Sequence, residues 1–220
     1  MGETPAKLFW FSQDLKLPEW LKKGLAKEKI RPQMVAWSFY SGDQNTPLDY
    51  KQAYLWFCRA LKEGCSDAAY FIGEMYYFGF YVKDSTPEAV KWLEVAAAQN
   101  KPAALEFLFD IYLNGEHDFK KDLSGAKKIA LKEKKLGLSI YALHLGDILY
   151  QEGDLAGARK YYQKAHKAGF PAGAFKIYLM DKERNPARVV KGHGLEWLKK
   201  AARGGSIEAR TVLRSHLKVV

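Results

Sequence analysis

The apolar positions of this chain recur at helical spacing, and the whole arrangement returns about every 36 residues. Ala53, Trp56, Phe57 and Ala60 stand at i, i+3, i+4 and i+7, which puts them on one face of a helix. Ala89, Trp92, Leu93 and Ala96 repeat that stripe. A second stripe of the same spacing alternates with it: Ala69, Ile72, Gly73 and Tyr76, then Leu105, Leu108, Phe109 and Tyr112, then Ala142, Leu145, Gly146 and Leu149. Large side chains alternate with Ala and Gly, the combination that lets two helices approach closely.

Aligned columns extend the pattern along the chain. Trp20, Trp56 and Trp92 continue as Ile129, Tyr161 and Trp197; Gly24, Ala60 and Ala96 continue as Glu133, Ala165 and Ala201. The turn after each of these helices carries Glu28, Gly64, Asn100, Gly137, Gly169 and Gly205. Prolines at 18, 32, 47, 87, 102, 171 and 186 sit at or just before helix starts, where a missing N–H is harmless. Glycines at 42, 64, 79, 115, 137, 153, 169 and 204 follow helix ends as left-handed caps. The spacing predicts helices over 18–29, 32–41, 48–63, 66–78, 87–99, 102–114, 123–136, 139–151, 155–168, 171–181, 188–203 and 206–218, with no strand. Each helix pair leaves an apolar face that only a neighbour can cover, so the units stack. The expectation is an all-α solenoid of about 12 antiparallel paired helices, one array over residues 17–218 preceded by an extension over 1–16.

Composition narrows the class. The chain is 48% hydrophobic, enough for a continuous core, and no apolar run approaches the roughly 18–20 residues that span a bilayer. Cys58 and Cys65, on one continuous helix, would lie about 10 Å apart, too far for a disulfide, and read as two partly buried thiols. The opening MGETPAKLFWFSQDLKLPEW has no basic segment followed by an apolar run and a cleavage site. Ala6 also stands where N-myristoylation needs Ser or Thr, so the sequence as it stands reads as cytoplasmic. A periplasmic or secreted protein is the alternative if a signal peptide has been removed.

The stretch GCSDAAYFIGEMYYFGFYVKDSTPEAVKWLEVAAAQN resembles a Sel1-like repeat, a subtype of the tetratricopeptide repeat. The matching residues are Ala68, Ile72-Gly73, Tyr76, Gly79, Val82, Lys83-Asp84, Ala89, Trp92-Leu93, Ala96-Ala97 and Asn100. The Val-Lys-Asp loop is what separates this subtype from its shorter parent. The unit around Gly153–Gly169 resembles the ordinary tetratricopeptide repeat more closely. Some members carry a cysteine pair in every repeat; this chain has a single pair. The resemblance implies a right-handed superhelix whose concave face is lined by the first helix of each pair. It also implies adaptor or scaffold roles, including toxin neutralisation and envelope assembly in bacteria.

Nothing in the sequence marks catalysis. His117, His144, His166, His193 and His216 have no i, i+3 or i+4 partner histidine and no metal-site spacing, so they read as surface or cap residues. No catalytic residue, cofactor or metal site is expected. The expected function is capture of a protein or peptide partner in the groove. The residue after the Leu-Gly column should face that groove: Ser38, Glu74, Asp110, Asp147, Leu179 and Ser215. With neighbours, the candidate site is Asp67, Tyr70, Glu74, Tyr77, Glu106, Asp110, Leu143, Asp147, Tyr150 and Phe175, with Phe78 beside them. This is an acidic and aromatic wall suited to a basic or mixed segment. Reversing Glu74 and Asp147 together should weaken binding at little cost in stability. The net charge of +10 lies elsewhere, including a column of Arg59, Lys132, Lys164 and Lys200 on the second helices. That outer face is the alternative site, for nucleic acid or an anionic membrane surface.

Overall fold

A computed structural model describes residues 31–42, 46–116, 118–184 and 192–217. Among them are eleven helices: α1 (Pro32–Ser41), α2 (Tyr50–Lys62), α3 (Asp67–Phe78), α4 (Thr86–Ala98), α5 (Pro102–Asn114), α6 (Leu123–Lys135), α7 (Tyr141–Gln151), α8 (Leu155–Lys167), α9 (Pro171–Arg184), α10 (His193–Arg203) and α11 (Ile207–Leu217). The extension expected over 1–16, the helix expected over 18–29 and Trp20 lie outside the described residues. The architecture is an all-α solenoid of paired helices. Among the described residues the β content is one isolated bridge between Glu116 and Phe119 in the α5–α6 loop.

The odd-numbered helices are the first of each pair and the even-numbered ones the second. The chain divides into two compact units: an N-terminal unit up to Ile111 plus Gly115–Lys120, and a C-terminal unit of Tyr112–Asn114 plus everything from Lys121. Within the first, α1 packs on α2, α2 on α3 and α3 on α4. Within the second, each helix from α6 to α10 packs on its successor. Every one of these contacts joins consecutive elements, as stacked repeats require.

One turn is reproduced at the end of every second helix. The N–H groups of Cys65, Lys101, Leu138, Phe170 and Ser206 donate to the carbonyls of Ala60, Ala96, Glu133, Ala165 and Ala201, at 2.9–3.4 Å. One residue earlier, Gly64, Asn100, Gly137, Gly169 and Gly205 donate to Leu61, Ala97, Lys134, His166 and Ala202. This is a Schellman ending, in which the penultimate residue must enter the left-handed region. All five do, with φ between +60° at Asn100 and +109° at Gly205. Asn is the non-glycine side chain that best tolerates this conformation, which explains its presence in a glycine column. The cap expected at Gly204 belongs to Gly205 instead; Gly204 has φ −72°.

Second helices also start alike. Asp49, Ser85, Asp122 and Asp154 each accept a hydrogen bond from the N–H three residues on, satisfying an orphan donor of the first turn. Between the helices of a pair, glycine removes the side chain that would hold them apart. A Cβ on Gly73 would lie 2.9 Å from Leu93 Cγ, and one on Gly146 would lie 2.5 Å from the Tyr162 ring. Between successive pairs the same holds: a Cβ on Gly173 of α9 would meet the Tyr162 carbonyl oxygen of α8 at 2.4 Å. The repeat columns lie inside: Ala53, Ala60, Ala89, Ala96, Ala158, Ala165 and Ala201 are fully buried. Trp56 and Trp92 join the same N-terminal core cluster, and Trp197 packs in the C-terminal one.

One reading changes. His144 is not a surface residue: it is buried, and its Nδ1 lies 2.6 Å from Oε2 of buried Glu133. Glu133 occupies the small-residue column, and His144 stands where Phe71 and Phe107 stand in earlier repeats. Two departures from the repeat therefore meet and satisfy each other, which a buried carboxylate requires. Cys58 and Cys65 are free thiols; burial pushes Cys58 up to about 11.

The turn makes a direct prediction. Gly137→Ala should lower the stability of the chain by about 1–2 kcal/mol, although its Cβ would meet no atom, because the cost lies in the backbone alone. Asn100→Gly should not lower it. Thermal melting of the two variants compares them; an unaffected Gly137→Ala would remove the left-handed turn as a determinant.

Candidate functional site

The backbone fixes which side chains are equivalent on the first helices. The N–H groups of Asp49, Ser85 and Asp122 donate to the carbonyls of Phe39, Tyr76 and Tyr112 at 2.8–3.0 Å. Two residues before those acceptors stand Trp37, Glu74 and Asp110. Sequence spacing placed Ser38 in this column, one residue off. The α1–α2 loop is one residue longer than the α3–α4 loop, so counting back a fixed interval overshoots. The corrected register puts fully buried Ala36 where Gly73 stands, a small residue at the close approach. Ser38 turns its hydroxyl back to the Met34 carbonyl, 3.1 Å away.

In the N-terminal unit this column lies within a continuous run of rings. Trp37, 48% exposed, sits 5.6 Å from Tyr40 and 5.0 Å from Phe71. Tyr70 packs edge-on against Phe71 at 5.3 Å and Phe107 at 6.5 Å; Tyr77 meets Phe107 at 4.8 Å and Phe78 at 5.0 Å. Phe78, 53% exposed, continues to Phe80 at 5.4 Å. The rings hold one another in place and still present apolar surface to solvent, the property of an interaction site.

Carboxylates are set into this wall. Glu74 is half-buried and accepts hydrogen bonds from Tyr70 at 2.9 Å and Tyr40 at 3.3 Å. No ion pair neutralises it among the described residues. Burial raises its pKa; the two hydroxyls act in the opposite sense without cancelling that. The Tyr40 and Tyr70 hydroxyls are themselves held well above their ordinary value by burial and by this carboxylate. A carboxyl whose folded pKa lies above its unfolded one stabilises the fold at acid pH and destabilises it once ionised. Ionising Glu74 towards neutral pH therefore costs the fold stability relative to its protonated form. Tyr77 donates to Glu116 at 2.6 Å and is pushed up to about 12, by that bond first and burial second. Glu106 and Asp110 are exposed on α5, and exposed Asp67 is paired with Lys101.

The C-terminal unit treats the corresponding positions differently. Asp147 was expected to be an accessible groove carboxylate, but it is buried. Its Oδ1 accepts the Tyr162 hydroxyl at 2.7 Å and pairs with Lys176 at 2.8 Å. Those partners come from α8 and α9, which is why the α7 sequence does not announce them. Leu143 and Tyr150 pack on the core formed by Ala158, Tyr162 and Ile177, and Phe175 on that of Ala174 and Tyr178. The Tyr150 hydroxyl donates to Glu183 beside the Arg159–Asp181 pair, at the edge of an open cavity of about 600 Å³. Leu179 is exposed, and Ser215 bonds to the Val212 carbonyl. Among the described residues no three His, Cys, Asp or Glu side chains are grouped to hold a metal ion.

The structure thus brings together Tyr70, Glu74 and Tyr77, which the sequence grouped, and sets Trp37, Phe71 and Phe107, which it did not, beside them. Phe71 and Phe107 form a column directly before Ile72 and Leu108 that was there to read. The extra loop residue hid Trp37.

Comparison with known proteins is consistent with this geometry. The sequence profile of the Sel1 repeat matches residues 34–65, 66–101, 134–170 and 181–206. The uncharacterized protein NMB1327 of Neisseria meningitidis serogroup B is 32% identical over 56% of this chain and 34% of its own length. The chain thus spans about a third of the curated relative it matches. Among solved structures, c5321, a protective antigen of uropathogenic Escherichia coli with an SLR fold, superposes with a TM-score of 0.67 at 24% identity. That superposition covers 88% of this chain and 42% of that one. A Sel1 repeat protein from Oxalobacter formigenes gives a TM-score of 0.65 at 23% identity over 86% of this chain and 80% of that one. At that identity these two likenesses speak for the fold.

The contrast between the two carboxylates is testable. Asp147→Lys should destabilise the chain by about 2 kcal/mol or more, because it sets a second cation against Lys176 in a buried site. Asp110→Lys, on the exposed surface, should stay within about 0.5 kcal/mol. Chemical denaturation distinguishes them; equal effects would show that Asp147 is not held as described.

Proposed function

The chain belongs to the Sel1 repeat family, whose members generally mediate protein–protein interactions, and from that premise we propose that it is a non-catalytic adaptor. Its N-terminal unit holds a basic segment of a partner protein against the face formed by α1, α3 and α5. One observation carries this reading: a run of exposed and half-exposed rings surrounds Glu74, whose charge nothing in the described protein neutralises. A half-buried carboxylate bonded to Tyr40, which itself packs on half-exposed Trp37, suits an arriving guanidinium or ammonium group. That cation would stack on the ring and pair with the carboxylate, a contact worth up to about 2 kcal/mol once desolvated. Glu106, Asp110 and Glu116 extend the negative field around it, Asp67 being paired with Lys101, while Tyr70, Phe71, Tyr77, Phe78 and Phe107 offer apolar contact.

In this reading Leu143, Asp147, Tyr150 and Phe175 build the C-terminal unit and do not contact the partner. An inhibitor that masks the basic surface of a toxin and an assembly factor at the cell envelope both call for this chemistry, and both fall within the proposal.

The test is titration calorimetry of the full chain against short peptides that pair Arg or Lys with aromatic residues, with acidic peptides as controls. Basic peptides should bind and acidic ones should not. Trp37→Ala and Glu74→Gln should each weaken binding at least tenfold, about 1.4 kcal/mol. Glu74→Gln should leave the melting temperature at neutral pH unchanged or raised, since it removes an unfavourable buried charge. Basic peptides that bind both variants as tightly as the wild type would overturn the assignment.

A further inference from the structure

Among the described residues of the C-terminal unit, no ion pair is found on one face of α6. On α6, Lys127, Lys128, Lys134 and Lys135 are exposed, and they stand at i−4, i−3, i+3 and i+4 from Leu131. Those offsets are the neighbours of a position on a helix surface, so four ammonium groups ring one leucine. Leu131 is itself 50% exposed, and Leu136, just past the helix end, is 38% exposed. The single carboxylate of α6, Glu133, points the opposite way, buried against His144. The pairing that breaks the repeat pattern thus also strips the outer face of α6 of negative charge. On α8, which like α6 packs on α7, Lys160, Lys164 and Lys167 are exposed, and the helix contains no carboxylate. Residues 121–220 carry 21 Lys and Arg against 9 Asp and Glu, whereas residues 1–120 carry 14 against 16. The excess positive charge of the protein resides in this half.

We propose that this face docks on an anionic lipid surface. The lysines meet headgroup phosphates, and Leu131 and Leu136 enter the boundary between headgroups and acyl chains. Exposed leucines among lysines add to binding at a bilayer and add nothing at a phosphate backbone. The exposed large apolar side chains described in this unit are Leu131, Leu136, Leu155, Leu179 and Ile207. None of these is a ring on which a base would stack, as single-stranded nucleic acid binding requires, and half-exposed Tyr141 is already covered by Lys164. The attachment is peripheral: no described helix is long and apolar enough to cross a membrane. The face lies in a different unit from the proposed partner site and rests on different residues, so either assignment survives the failure of the other.

The experiment is co-sedimentation of the full chain with phosphatidylcholine vesicles, with or without phosphatidylglycerol, over a range of salt. The chain should pellet with the anionic vesicles alone, and less so as salt rises. Each lysine near such a surface contributes roughly fivefold. Lys128→Gln with Lys135→Gln should therefore lower partitioning about twentyfold with the melting temperature retained. Leu131→Gln, which changes no charge, should lower it several-fold. Equal pelleting with neutral vesicles, or lysine variants that partition like the wild type, would overturn the proposal. So would a Leu131→Gln variant that keeps wild-type lipid binding while the chain binds RNA or DNA more tightly than vesicles, an outcome that would assign the face to a phosphate polymer.

Discussion

The closest helix contacts form where a side chain is small or missing, and that requirement organises much of the protein. Gly73, Gly146 and Gly173 sit where a single methyl group would run into the neighbouring helix. The Schellman turn ending each second helix then directs the chain into the next first helix by the same pair of backbone bonds. Because contact and turn recur together, the outward positions recur as well, and a face of the protein is built up by repetition. Trp37, Glu74 and Asp110 are equivalent for that reason, and so are the rings that flank them.

What differs between the units is how polar groups are satisfied. In the C-terminal unit Asp147 is matched by Tyr162 and Lys176, and Glu133 by His144, so ionisable groups inside the fold are used within it. In the N-terminal unit, among the described residues, Glu74 receives two neutral hydroxyls and no cation. Exposed rings beside an unneutralised carboxylate serve no purpose in stacking repeats. In the proposed function they are the features that would meet a partner.

Much of this was legible in the sequence because its causes are local. Left-handed turns select Gly or Asn, close helix contacts select Gly or Ala, and side-chain caps and prolines mark helix starts; α1 and α5 fall on the residues that periodicity indicates. What was not legible depends on non-local partners or on counting. One extra loop residue shifted the register of α1, moving Ser38 into a column that belongs to Trp37. Asp147 looked like Glu74 because its two partners lie on other helices. His144 looked like a surface histidine because the glutamate it meets is eleven positions away in a column of alanines.

The account stands most directly on where a cationic ligand lands. Nuclear magnetic resonance titration of the chain with an arginine-containing peptide reads this residue by residue. Shift changes should concentrate on Trp37, Tyr70, Glu74 and Phe107, with α7 and α9 unmoved. Changes centred on Asp147 and Tyr150, or spread without a focus, would contradict it.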